Sequence, residues 1–95
     1  MSIITKQSQI HGVGLFTNKY YAANDFIFTA IDENKKITEL GVKINHSWNP
    51  NTHLLFVNNM WNIYAIDDIN IGEELTTNYN HNKPHFIKPA VDSWN

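Results

Sequence analysis

Asp67-Asp68-Ile69-Asn70-Ile71-Gly72-Glu73-Glu74-Leu75-Thr76-Thr77-Asn78-Tyr79 reads as a turn, then a strand, then an aromatic hydroxyl at the strand's end. Asp, Asn and Gly supply the turn, because they bond their own backbone or tolerate positive φ. Leu75, Thr76 and Thr77 suit a pleated, half-buried surface. A tyrosine at such an end either bonds a buried neighbour or presents a working hydroxyl to a ligand. Glu73 and Glu74 are adjacent, so a strand would point them to opposite faces and they do not form a paired-carboxylate site. A solvated turn is the expected place for both.

Two further segments stand out upstream. Ile44-Asn45-His46-Ser47-Trp48-Asn49-Pro50-Asn51 gathers polar and turn-forming residues around one tryptophan. It suits an Asx-type turn closed by Pro50, and equally an Asn-His pair presented to a polar small molecule. His11-Gly12-Val13-Gly14, followed by Leu15-Phe16, has two glycines that permit a tight turn between strands or a close backbone approach to a ligand. It is not a dinucleotide fingerprint, since no third glycine follows and no helical pattern opens after it.

The rest of the chain is consistent with a mostly β protein. Short apolar runs rich in β-branched and aromatic residues recur at Ile3-Ile4, Val13 to Phe16, Phe26 to Ile31, Leu54 to Val57 and Ile63 to Ile66, with turn clusters between them. Only Asn34 to Lys43 suits a short helix, with Asn34 as N-cap and Gly41 near its end. The 95 residues make one domain, with no repeat and no linker. Hydrophobic residues at 42% against charged residues at 17% describe a chain that folds. Fourteen asparagines fit a turn-rich chain, or an A/T-rich coding bias.

Composition also excludes functions. A net charge of −2 gives no positive field to hold a phosphate backbone, so direct nucleic-acid binding is not expected. Arginine is absent, which disfavours bidentate phosphate chemistry. Without cysteine there are no disulfides, thiolate metal sites or thiol nucleophiles. His81 and His85 have a metal-like spacing, but Pro84 lies between them and a third ligand is not evident, so no metal is expected. No apolar run approaches the ~20 residues of a membrane span, and Met1 to Lys6 lacks the order of a signal peptide. We therefore expect a soluble intracellular protein, with cytoplasm and nucleus equally open.

In their order along the chain, the three segments resemble the SET-domain protein lysine methyltransferases. The matching residues are Gly12-Val13-Gly14-Leu15-Phe16, Asn45-His46-Ser47 with Pro50-Asn51, and Gly72-Glu73-Glu74-Leu75-Thr76 with Tyr79. The resemblance implies a β-clip of several short sheets with a threaded C-terminal segment and little helix. It implies one minimal domain over 1–95, with a motif core of about 11–80 and a tail of 81–95. It implies S-adenosyl-L-methionine as cofactor, held by His11, Gly12, Val13, Gly14, Asn45 and His46, with Tyr79 as the catalytic hydroxyl. The implied substrate is a lysine on a protein, a histone among the candidates.

Several positions depart from the family pattern. Only about thirty residues separate the first two motifs, where most relatives insert a segment that builds one wall of the substrate groove. Trp48 stands where many have cysteine, Thr29-Ala30 where many have an acidic-aromatic pair, and Thr77 where many have an aromatic that limits methylation number. The cysteine-rich segment that closes the channel in some relatives is missing, which leaves the tail, with Phe86 and Trp94, as a candidate lid. The retained Asn-His pair and Tyr79 favour an enzyme. The shortened groove favours an inactive module that binds cofactor or peptide. Three tryptophans on so short a chain also suggest a homodimer.

Overall fold

The computed structural model describes residues 2–80. The expected lid and the His81/His85 pair lie outside them. Seven strands follow in chain order: β1 (Ile3–Gln7), β2 (Val13–Thr17), β3 (Phe26–Ile31), β4 (Asn45–His46), β5 (Thr52–Val57), β6 (Met60–Ala65) and β7 (Glu74–Thr77). A four-stranded sheet has the order β1-β2-β7-β4, and a three-stranded sheet the order β3-β6-β5. All pairings are antiparallel except β4 with β7. The mostly β fold of short sheets is thus as the sequence implied.

Turn chemistry sets the hairpins. Asn58 and Asn59 both take positive φ, 52° and 64°, between the paired Val57 and Met60. That is the backbone of a two-residue type I′ turn, whose twist matches the strands it joins. The parallel pair needs a long crossover, and here the β5–β6 hairpin and the 66–73 loop together supply it. The core is built from Leu15, Ile44, Ile63, Ile69 and Leu75, all fully buried. Each such side chain contributes roughly 1.5–3 kcal/mol on leaving water.

The helix expected over Asn34 to Lys43 does not form, and only a single 3₁₀ turn, Gly41–Lys43, is present. Local groups outcompete the helical ladder. The Asp32 carboxylate accepts the N–H groups of Asn34 and Lys36 at 2.9 and 3.0 Å, and Lys35 takes φ 65°. Ile37 then bridges back to Ile31, and the Thr38 hydroxyl donates to the Thr29 carbonyl at 2.7 Å. Gly41 lies so close to the Ala30 carbonyl that any side chain there would meet backbone. Among the described residues no helix is long and apolar enough to cross a membrane.

Candidate active site

The parallel pair decides which residues meet. Asn45 registers with Thr76 and His46 with Thr77, and the Ser47 N–H donates to the Thr77 carbonyl at 3.0 Å. Because side chains alternate along a strand, Asn45, Thr76 and Glu74 share one face of the pair. His46 and Thr77 share the other, and Tyr79 joins them just beyond the strand's end.

On the first face a carboxylate organises the glycine turn. Glu74 accepts the Ser8 hydroxyl at 2.8 and 2.9 Å and the Asn45 side-chain amide at 2.9 Å. The same Asn45 Nδ2 donates to the His11 carbonyl at 3.1 Å. Both partners of that nitrogen are pure acceptors, so the amide orientation is determined and its two protons are used inside the protein. Ser8 in turn accepts the Ile10 N–H at 2.9 Å, while its own N–H donates to the Gly12 carbonyl at 2.7 Å. Gly14 packs against the Glu74 carboxylate, where a methyl group would overlap it. Gly12, at φ 46°, has open space where its side chain would be. His11, Gly12 and Val13 therefore form an exposed rim tied to the sheet through Asn45 and Glu74.

The second face is drier. Tyr79 and His46 are 7% and 4% exposed. The Tyr79 N–H donates to His46 Nδ1 at 3.1 Å, which puts the proton of a neutral imidazole on Nε2. The Tyr79 hydroxyl donates to the Ile44 carbonyl at 2.6 Å. Edge-on contacts stack Trp48 against His46 at 4.3 Å and His46 against Tyr79 at 5.2 Å between ring centroids. Burial pushes the Tyr79 phenol up to about 12, and the hydrogen bond with the His46 backbone offsets only part of that rise. The Thr77 hydroxyl is buried here and has no hydrogen-bond partner among the described residues.

All seven residues singled out from the sequence fall into these two groups, joined through consecutive Asn45 and His46. Three that matter were not named as site residues. Ser8 and Glu74 hold the turn, and Glu74 is half-buried rather than on the solvated turn expected for it. Asn51 clamps the crossover to β7, donating to the Glu74 carbonyl at 2.8 Å and accepting the Thr76 N–H at 2.9 Å. The alternation of β7 was the available signal for Glu74. If Leu75 and Thr77 face the core, Glu74 must share a face with Thr76.

The SET-domain family model matches residues 30–80, more than half of the chain. That span includes the Asn-His pair and Tyr79 and begins after the glycine turn. Among solved structures, the crystal structure of a Plasmodium falciparum "putative histone methyltransferase" superposes with a TM-score of 0.65 at 21% identity. The superposition covers 86% of this chain and 96% of that one, and at such identity it speaks for the fold alone. Comparison with curated proteins gives no match. With the SET-domain model matched over more than half of its length, the chain belongs to the SET-domain family.

Proposed function

We propose that the chain is an S-adenosyl-L-methionine-dependent methyltransferase acting on lysine side chains of a protein, with a histone among the candidate substrates. The observation that carries this reading is the parallel β4–β7 register. It sets Tyr79 beside His46 and, through Asn45, ties the same pair of strands to the glycine turn.

The residues present fit the cofactor. The exposed His11-Gly12-Val13 rim offers a surface for close backbone approach, and the buried Thr77 hydroxyl offers a polar atom with no partner among the described residues. His11, Gly12, Val13, Gly14, Asn45 and His46 would hold S-adenosyl-L-methionine, which supplies a methyl group already activated on a sulfonium.

The chain's own part is binding, orientation and exclusion of water. Tyr79 is held neutral by burial and donates its proton to Ile44, so toward other groups its oxygen acts only by accepting, as it does toward the His46 backbone. Such an oxygen can orient an amine N–H or a polarised C–H group, and it cannot serve as a general base near neutral pH. The lysine must therefore arrive neutral. An apolar entrance favours that form by desolvation, and a neighbouring positive charge does so by repulsion.

The direct test incubates the purified chain with labelled S-adenosyl-L-methionine and a panel of histones and cell extracts. Label on protein lysine is expected, with a rate that rises between about pH 7 and 9 as more substrate lysine is neutral. Cofactor binding without transfer to any panel protein would support the inactive module instead.

A further inference from the structure

From Ile44 to Ile66 the chain carries no Asp, Glu, Lys or Arg, although 16 of its 95 residues are charged. This stretch contains β5, which among the described residues pairs with β6 alone and so forms an edge of the three-stranded sheet. Edge strands of monomeric proteins are usually blunted by a lysine, a proline, a bulge or shortness. β5 has six residues in unbroken register with β6 and none of these devices.

The register shows which backbone groups are open. Val57 and Met60 flank the two-residue turn and form its hydrogen-bonded pair. Alternation then makes Leu55–Asn62 hydrogen-bonded, and leaves Leu54–Ile63 and Phe56–Trp61 as the pairs without mutual bonds. Leu54 and Phe56 thus aim N–H and C=O outward from the sheet, and among the described residues neither makes a backbone bond outside the β5–β6 ladder. Beside them Leu55, Phe56 and Val57 are 43%, 57% and 37% exposed.

We infer that this edge pairs with β5 of a second copy of the chain, antiparallel about a two-fold axis at Leu55. The edge is self-complementary in that register. Leu54 and Phe56 of each copy exchange four backbone hydrogen bonds with Phe56 and Leu54 of the other, and the two Leu55 side chains meet across the axis. A symmetric contact brings like against like, and an uncharged segment can pay that cost where a charged one cannot. The three exposed side chains offer about 250 Å² of apolar surface per copy, or about 500 Å² for the pair, roughly half the ~1,000 Å² of a stable specific interface, so the backbone pairing must supply the rest. The dimer therefore dissociates on dilution. The inference stands apart from the proposed activity, since none of its residues belongs to the candidate active site.

The chain has no cysteine, so a single introduced thiol reports on the axis. Residues facing each other in a non-hydrogen-bonded antiparallel pair lie about 4.5 Å apart at Cα, within reach of a disulfide. Leu55→Cys is expected to give mostly disulfide-linked dimer of about 22 kDa under mild oxidation, twice the 11.0 kDa chain. Ile71→Cys, 67% exposed and away from β5, should stay mostly monomeric. In sedimentation the unmodified chain should shift from monomer to dimer over the micromolar range, and Leu55→Lys should move that transition at least tenfold higher with no change in melting temperature. An unmodified chain that stays monomeric to the highest soluble concentration overturns the inference. So does a Leu55→Cys variant that crosslinks no faster than Ile71→Cys, or a Leu55→Lys variant that dimerises as before.

Discussion

The two faces of the β4–β7 pair are built on opposite principles. On the Asn45 face a carboxylate, a hydroxyl, an amide and a backbone carbonyl satisfy one another and tie the glycine turn to the sheet. On the His46 face aromatic rings exclude water, a phenol is held neutral, and one buried hydroxyl has no partner among the described residues. A satisfied polar network fixes geometry, whereas an incompletely satisfied, dry one keeps its interactions for something that arrives later. Under the proposed function, the first face shapes the binding loop and the second acts on what that loop holds.

The sharpest way to break this contrast is Tyr79→Phe. It keeps the ring and removes the oxygen, so turnover should fall on the order of a hundredfold while cofactor affinity stays within about twofold. Wild-type turnover in the variant would make Tyr79 a packing residue. The same substitution has a signature in alkaline unfolding. Unfolded tyrosine ionises near 10 and buried Tyr79 only near 12, so its contribution is complete below pH 10 and is lost as pH rises toward 12. That loss is about 2–3 kcal/mol. Alkaline denaturation of Tyr79→Phe should therefore be shallower than that of the native chain, and an unchanged slope would mean that the phenol is not buried in solution.

The Asn45 face should respond in binding more than in turnover. Asn45→Ala and Glu74→Ala each leave polar groups without partners, at a cost of about 1–3 kcal/mol. Calorimetry should show cofactor affinity reduced about tenfold or more in both variants, with turnover at saturating cofactor within a few-fold of native. Because the two side chains act through one network, the double variant should lose less than the two single losses combined. Strict additivity would show that the Ser8-Glu74-Asn45 chain is not a unit. The smallest effect is expected from Thr77→Val, which replaces an unsatisfied hydroxyl by a methyl group of similar shape and should raise stability by about 1 kcal/mol. A loss of stability there would mean that the hydroxyl already has a partner in solution.

How much of this was legible in the sequence depends on where the cause lies. Strands β2, β3, β5 and β6 could be read because apolar runs and Asn-rich turns are local signals, and Asn58-Asn59 fixes its hairpin through backbone preference alone. β4 could not be read. Asn45-His46 has turn composition and is extended only because β7, some thirty residues later, supplies the other half of its hydrogen bonds. The expected helix failed for the converse reason, since the Asp32 carboxylate and the Thr38 hydroxyl offered the backbone closer partners than a helical ladder. For the candidate site, the motifs located Asn45, His46 and Tyr79. Nothing in the pattern ranked Glu74 above Glu73 until the strand's face was known.

The parallel β4–β7 pair also has a consequence in time. Hairpins β1–β2 and β5–β6 close over a few residues and can form within microseconds, while joining β4 to β7 must first close a loop of about thirty residues. The candidate site lies on that non-local contact, so it is absent until distant parts of the chain have met. A nascent or damaged chain can carry most of its native strands and still have no site. Affinity for a ligand here thus measures completed folding, and a bound ligand should act mainly by slowing the first step of unfolding rather than by hastening assembly.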